Sequence, residues 1–293
     1  MAKKKDSPNQ SKFEIDIISK MERSNVSVSE LRTGLWAPIE KVSSTSLIYK
    51  NFIKNKRSRA ISTSWGKVLI TGNILTQVHR DLLDCIFASA HNIEELESGS
   101  VAVYFNETDV LKRYGNSAGS NHTWLRTKIR EIRNTSIEME DHSKKYYAFQ
   151  ILNDDGAIPE TGEFKIVFSD KYRNYIEGQL TIGYIDELDK LLTIQSALLR
   201  SIVRFFWTHK DASKMEIKAL LATVGYPQDS ENAIRAARRD IENNIDILEK
   251  FGISSLEEEV TESGRKKIKK ILYRKQEDTK ITFSAPLQPL ISK

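Results

Sequence analysis

The sequence contains very little cysteine, since Cys85 is the only one among 293 residues. A single cysteine excludes an intrachain disulfide bond, and chains without disulfides are typical of a reducing compartment. Cys85 lies in the largely apolar run 82–87, where a buried structural thiol is expected rather than a nucleophile. This residue is therefore not a candidate for chemistry.

Long apolar runs are also missing. A membrane-spanning helix needs about 18 or more apolar residues in succession, and Arg200 and Arg204 interrupt the best candidate, 198–207. The N-terminal segment continues from Lys3–Lys5 into polar residues, without the apolar stretch of a secretory signal. We therefore expect a cytoplasmic protein without a membrane partner.

The sequence lacks the patterns that usually carry catalysis or metal binding. There is no Gly-x4-Gly-Lys-Ser/Thr motif, and the segment 115–119 has a glycine at each end but lacks the lysine that would reach a phosphate. Acidic pairs such as Asp154–Asp155 stand in turns, where solvated charge is the usual explanation. We expect no enzymatic activity, no metal and no cofactor. The histidines, which are scattered without metal-ligand spacing, are His79, His91, His122, His142 and His209.

The composition is that of a globular protein with a modest basic excess. Lysine and arginine number 45 against 40 acidic residues, which gives a net charge of +5, and such an excess favours an anionic partner where it is clustered. The length suits two domains. We predict a basic, partly flexible segment over 1–60, a first domain over 61–180 and a second domain over 181–293.

Two features stand out in the N-terminal segment. A short helix is expected over 15–21, and Leu35 and Trp36 are expected to pack onto the following domain. The basic cluster 54–59 is either an arm for the DNA backbone or a solvated tail, and the sequence leaves both open.

A basic amphipathic helix is predicted over 121–135. Its apolar residues recur with helical spacing, and three arginines form a second stripe about 100° around the helix. A glycine-containing turn precedes it, and a short helix over 107–114, capped by Asn106, precedes that turn. This order is typical of a DNA-binding helix-turn-helix, although a basic face also occurs on helices that are only solvated. The candidate DNA contacts here are Asn121, His122, Thr123, Arg126, Lys128, Arg130 and Arg133, with Lys144 and Lys145 in the next turn.

The neighbouring elements are typical of a winged-helix domain. In that arrangement the hairpin after the basic helix can reach the DNA backbone beside the groove that the helix enters. The expected elements are a strand over 68–70, a helix over 76–90, a strand over 101–105, a hairpin over 136–152, a loop over 153–156 and a strand over 163–168.

The second half predicts the same order of elements. Its long C-terminal helix has arginines only in the N-terminal half, which is the end that recognition helices usually present to DNA. The final hairpin is strongly basic and is either a wing or an edge strand protected by lysines. The expected elements are helices over 186–209, over 213–224 with Ser213 as cap, and over 230–251, then a hairpin of 254–262 and 266–274. The candidate DNA contacts are Asn232, Arg235, Arg238, Arg239, Arg265, Lys266, Lys267, Lys269 and Lys270.

The predicted fold class is therefore α+β, with two tandem winged-helix domains that are rich in helix and carry small antiparallel hairpins. Two basic helices, each followed by a hairpin, indicate a protein that binds double-stranded DNA.

The middle of the chain resembles the plasmid replication initiators of the TrfA type. The resemblance lies in Leu69–Gly72, Arg80–Asp84 and Gly119–Arg126 with the arginines that follow, and it covers about 64–209. It does not extend to residues 1–60, and the loop 94–100 departs from the family pattern.

The resemblance implies the activity of that family. Its members bind directly repeated origin sites called iterons, promote opening of the adjacent DNA and recruit the host replicative helicase. Its members often form homodimers when not bound to DNA and can repress their own genes. By this resemblance we expect a plasmid replication initiator associated with plasmid or nucleoid DNA in a bacterial cytoplasm, with the host helicase and initiator as further partners.

Two other hypotheses remain open on the sequence. The same tandem domains would serve a transcriptional or conjugation regulator without origin activity. The other hypothesis is a protein-interaction adaptor, in which the basic faces are only solvated.

Overall fold

The computed structural model describes residues 17–63, 66–115, 121–228, 230–260 and 266–287. The chain is a mixed α+β protein whose sheets are all antiparallel. One continuous cluster of buried apolar side chains draws on both predicted domains and on the segment before them. Over the described residues, no helix has the length and apolar character needed to cross a lipid bilayer.

The first half contains two four-stranded sheets, in the orders β2-β3-β6-β7 and β4-β5-β9-β8. Its helices are α1 (Ile17–Arg23), α2 (Val28–Arg32), α3 (Leu47–Lys54), α4 (Gln77–Ala88), α5 (Glu107–Arg113), α6 (His122–Arg133) and α7 (Asp170–Glu177). Its strands are β1 (Val26–Ser27), β2 (Ser58–Ser62), β3 (Gly66–Thr71), β4 (Ala90–Glu95), β5 (Val101–Phe105), β6 (Ser136–Asp141), β7 (Tyr146–Gln150), β8 (Leu152–Ile158) and β9 (Glu163–Phe168).

The second half contains a three-stranded sheet in the order β11-β13-β12, and β10 joins β1 and β14 in another. Its helices are α8 (Leu188–Leu192), which follows a 3-10 turn at Ile185–Glu187, α9 (Ala197–Trp207), α10 (Ile217–Thr223), α11 (Glu231–Asn243) and α12 (Ile245–Glu249). Its strands are β10 (Thr181–Gly183), β11 (Ser213–Glu216), β12 (Ile253–Val260), β13 (Lys266–Tyr273) and β14 (Thr282–Ser284).

The segment before residue 60 is packed into the fold over its described part. Leu35 and Trp36 are buried, as expected, and so are Ile17 and Met21 on the inner side of α1. The ammonium group of Lys20 is held by three backbone carbonyls, those of residues 177, 179 and 285. The described part of this segment therefore contributes to the core.

The hairpin after α6 forms as predicted, and the structure shows which sheet it joins. Its first strand, β6, pairs with β3, the strand that precedes α4. Two strands, β4 and β5, lie between α4 and α5, and β5 pairs with β4 and β9 in the other sheet. The predicted loop 153–156 is wrong because these residues belong to β8, which pairs with β9. Thus β8 and β9 form a second hairpin that completes the sheet beside α5 and α6.

Three elements of the second half differ from the prediction. The single helix predicted over 186–209 is broken, because the Ser196 hydroxyl accepts from the backbone N–H of Leu199 and starts α9 anew. Ser213 does not cap a helix but begins β11, and α10 starts after Glu216. The helix predicted over 230–251 is interrupted at Asn244, whose side chain turns back to the carbonyl of residue 240.

The joint between the two halves is a buried network of charges on α4 and α9. Arg204 lies 2.7 Å from Asp81 and 2.7 Å from Asp84. Arg80 pairs with Asp84 at 2.6 Å, and Arg200 pairs with Asp81 at 3.0 Å. All five side chains are buried. Such groups are tolerated in a core only when paired and hydrogen-bonded, so the network fixes how α4 and α9 pack.

A second contact joins the halves near the start of α11. The backbone of Gly225, with φ 76°, passes so close to Gly34 that a methyl group on Gly225 would lie 2.7 Å from the Gly34 Cα atom. Arg59 of β2 donates to the carbonyl oxygen of Gly225 at 3.2 Å, and burial lowers the pKa of Arg59 to about 10. The turn before α11 is therefore held against the first half.

Candidate nucleic-acid interface

Helix α6 lies on the surface with one face buried, as its sequence predicts. Leu125, Ile129 and Ile132 are fully buried. The side of the helix opposite this stripe is exposed, and its residues recur with a spacing of three or four. These outward residues, which we call the α6 outer line, are Thr123, Thr127, Arg130 and Asn134.

Arg126 is not on this line, because it is held sideways against α5. It donates through Nε and Nη2 to the two carboxylate oxygens of Glu107 at 2.8 and 2.6 Å. Its guanidinium also lies over the ring of Phe164, 5.3 Å from the centroid. Partial burial would raise the pKa of Glu107, but hydrogen bonds from Arg126 and His122 outweigh it and lower that pKa. Arg126 and His122 therefore have a partner within the protein.

Arg133 and Lys128 also have acidic partners. Arg133 lies 2.5 Å from Asp155 of β8, whose side chain is almost fully buried. Lys128 donates to Glu131 at 2.7 Å, and the same carboxylate lies 2.7 Å from the ring of His79. Among the arginines of α6, only Arg130 makes no ion pair with another described residue. Of the three arginines in the predicted stripe, Arg130 thus points outward, whereas Arg126 and Arg133 hold α6 against neighbouring elements.

This division predicts different effects of two alanine substitutions on stability. Arg126→Ala should lower the free energy of unfolding by about 1–3 kcal/mol, because it leaves the nearly buried Glu107 carboxylate without its main partner. Arg130→Ala should change it by less than about 0.5 kcal/mol. Urea denaturation of both variants checks this. Equal losses of unfolding free energy would contradict the structural role of Arg126.

Helix α11 presents an outer line of the same kind. Ala237 and Ile241 are buried, and the opposite side of the helix is exposed. Arg235 pairs with Glu231 at 2.8 Å in an exposed contact, which contributes little to stability. Arg238 lies at the edge of the buried face, and its Nε is buried without a hydrogen-bond partner among the described residues. The outward residues, the α11 outer line, are Asn232, Arg235, Arg239 and Asn243.

The two hairpins place the remaining candidates at exposed edges. In the turn between β6 and β7, Lys144 has a positive φ of 64° and the ammonium of Lys145 lies 5.2 Å from the ring centroid of Tyr147. In β13, Lys270 pairs with Glu257 at 2.7 Å, and Lys269 is exposed.

Three other residues of the basic hairpin complete this set. Lys267 is half-buried. The backbone of Lys266 pairs with Val260 at the end of the hairpin. Arg265 lies outside the described residues.

Sequence reasoning missed three outward residues, which are Thr127, Asn134 and Asn243. Their signal was available, because each lies roughly opposite the apolar stripe at 100° per residue. Selection of candidates by charge favoured the arginines at the flank of the helix over the uncharged residues on its outward side.

A wide groove of about 930 Å³ runs along the other flank of α6. One wall is α6 itself, with Asn121, Thr123 and Thr127, and the opposite wall comes from α3 and the turn that follows it, with Tyr49 and Arg57. In the described part of the chain, no cluster of three or more His, Cys, Asp or Glu side chains is arranged to hold a metal ion.

Comparison with known proteins yields similarity to solved structures. No family model and no curated protein matches this chain. A solved structure of the Pi initiator protein in complex with iteron DNA is similar to it, with 17% sequence identity and a TM-score of 0.46. The similarity covers 69% of this chain and 92% of that chain.

Proposed function

We propose that this protein binds specific sequences in double-stranded DNA through two winged-helix domains and initiates plasmid replication at repeated origin sites. The observation that carries the proposal is the pair of outer lines. Each lies on a helix that follows another helix after a turn, and each combines arginine with uncharged hydrogen-bonding side chains. These side-chain types read base edges in the major groove.

The strand pairing supports the assignment of both domains to the winged-helix class. In the second half, β11 stands between α9 and α10 and pairs with β13, the second strand of the final hairpin. In the first half, β5 stands between α4 and α5 and pairs with β9, the second strand of the hairpin β8–β9. The two sheets therefore share the order β5-β9-β8 and β11-β13-β12.

Within this proposal the candidate residues have different roles. Arg130 and Arg239 contact bases, because they are outward, exposed and near the centre of their lines. Lys267 and Lys269 contact phosphates, since a hairpin beside the recognition helix can reach the backbone. Arg126 and Arg133 position α6 through their acidic partners. No step of this activity needs a metal, a cofactor or a catalytic residue.

The initiator activity rests on the resemblance of residues 64–209 to the TrfA-type family. Contact with the host helicase and initiator, and formation of a homodimer away from DNA, belong to the same proposal. The alternative is a regulator that uses the same DNA-binding plan without an origin.

The first experiment measures binding to the DNA upstream of the protein's own gene. We expect specific binding at about 100 mM salt, with a steep loss of affinity as salt increases. A hydroxyl-radical footprint should show protected segments about one helical turn apart on one face of the duplex, one for each domain. Absence of any binding would contradict the proposal and favour a protein-interaction adaptor.

A second experiment separates the initiator from the regulator. The gene and its flanking DNA are placed on a replicon that cannot otherwise replicate, and plasmid maintenance is followed. Maintenance that is lost in the Arg130→Ala variant supports initiation. Specific binding without maintenance supports the regulator.

A further inference from the structure

A long part of the first half carries no acidic residue. Between Glu40 and Asp81 the sequence has lysines and arginines but neither aspartate nor glutamate. This stretch includes α3, β2 and β3. It forms a basic surface in a protein whose charges are otherwise nearly balanced, with 45 basic and 40 acidic residues. Its local partner is therefore expected to be an anion.

The turn between α3 and β2 displays this charge on a fixed backbone. Lys56 and Arg57 both have positive φ angles, 54° and 59°, which residues other than glycine adopt rarely. The turn is held by Arg57, which donates twice to the carbonyl oxygen of Gly72 at 3.1 and 2.7 Å. Beneath it, Phe52 is buried against Ala37 and Ile74. These contacts hold the backbone of the turn in one conformation.

The lysines of this turn have no acidic partner in the part of the chain that the structure describes. Lys54 and Lys56 are exposed, and neither forms an ion pair with any residue in the described ranges. Lys41, also exposed, lines the groove between this turn and α6. The acidic residues that line the same groove are already paired, because Glu40 contacts Arg200 at 2.6 Å and Glu131 contacts Lys128 and His79. The groove therefore keeps a surplus of positive charge on the side facing α6.

We infer that the turn at 54–57 is a phosphate clamp for the DNA strand that passes beside α6. The sugar–phosphate backbone lies along the groove between the α6 outer line and this turn, where Arg57 lines the groove. Lys54 and Lys56, which are exposed beside Arg57 on the same turn, contact its phosphates. The inference rests on the proposed function. It adds a contact on the flank of α6 opposite to Glu107 and the β8–β9 hairpin, so that the helix is bounded on both sides by elements that can meet the backbone.

The test uses the full-length chain and a double variant, Lys54→Gln with Lys56→Asn. Asparagine is chosen because it tolerates the left-handed backbone at residue 56 better than other uncharged residues. Each lost phosphate contact should reduce the slope of log affinity against log salt by about 0.9, so the double variant should lose about 1.8. At 0.1 M salt this corresponds to a loss in affinity of roughly 60-fold, equal for specific and altered sites.

The matched control is Lys171→Gln with Lys280→Gln, two exposed lysines that belong neither to the turn at 54–57 nor to the lining of the groove. Its salt slope should equal that of the original protein. A second readout is acylation of lysines, in which bound duplex should shield Lys54 and Lys56 but not Lys171. Thermal unfolding of each variant establishes that the fold is retained.

The outcomes separate this inference from the proposed function. If the unaltered protein binds no duplex, the proposed function fails. If it binds and the double variant keeps both the original slope and the original affinity, only the phosphate clamp is overturned. If the variant Lys54→Arg with Lys56→Arg keeps the original slope, the contact depends on charge, and the phosphate clamp is supported.

Discussion

Asp84→Asn should lower the free energy of unfolding by about 3–5 kcal/mol, the usual cost of removing one partner from a buried ion pair. Asp84 is fully buried and accepts hydrogen bonds from Arg80, Arg204 and the hydroxyl of Tyr184. Asparagine keeps the size of the side chain but removes its charge. Arg80 then remains in the core without its carboxylate partner, and a buried unpaired cation is strongly destabilising.

The chain offers a matched control on its surface. Asp189 pairs with Arg113 at 2.7 Å, but its side chain is 75% exposed. Asp189→Asn should therefore cost no more than about 1 kcal/mol. Urea denaturation of both variants gives the comparison, and similar losses would contradict the importance of burial. Addition of Arg80→Met to Asp84→Asn should recover part of the stability, because it removes the unpaired cation.

The same network has a consequence for DNA binding. Asp81 and Asp84 belong to α4 of the first half, while Arg200 and Arg204 belong to α9 of the second half. A loss of these contacts loosens the packing of α4 against α9. The distance between α6 and α11 is then fixed less firmly. Sites that need both helices should be affected more than sites that need one.

The features that the sequence predicted well are those set by local chemistry. The bounds of α5 and α6 follow from a capping residue at Asn106, a glycine turn and a regular apolar stripe. The residues of β5 were predicted from their apolar β-branched run. Burial of Cys85 followed from its apolar neighbours.

The side-chain partners that the sequence did not predict come from elements far away in the chain. Arg126 and Arg133 were grouped with Arg130 because all three lie near one stripe of the helix. In the structure Arg126 pairs with Glu107 and Arg133 pairs with Asp155, and both acidic residues come from other elements. Sequence periodicity gives the direction of a side chain and not its partner. The break in the predicted helix over 186–209 had a local signal, the capping hydroxyl of Ser196, which the continuous apolar pattern concealed.

Strand pairing could not be deduced for the same reason. The hairpin of β6 and β7 has its own turn and alternation, so its existence was predictable. Its pairing with β3 rather than β5 is a contact across more than sixty residues of chain, as in Ile70 opposite Ile137. The division of the chain into three parts stays a prediction, although one core cluster includes residues from all of them.

Arg130→Ala combined with Arg239→Ala should produce the largest loss of DNA affinity, because it removes the central arginine of both outer lines. Each guanidinium that forms paired hydrogen bonds with a guanine contributes about 1–3 kcal/mol of discrimination. The two residues lie on different helices and share no partner among the described residues, so their effects should add. The double variant is thus expected to lose about 2–6 kcal/mol, which is roughly 30-fold to 25,000-fold in affinity.

Fluorescence anisotropy at one fixed salt concentration measures these losses, and footprints of the single variants locate them. Arg130→Ala should weaken protection of one segment and Arg239→Ala that of the other, while Arg23→Ala, an exposed arginine on α1, should change neither. If the double variant binds no more weakly than either single variant, the two helices do not contact the same duplex at once. In that case one outer line binds DNA alone, and the buried joint of α4 and α9 serves stability without setting the spacing of the site.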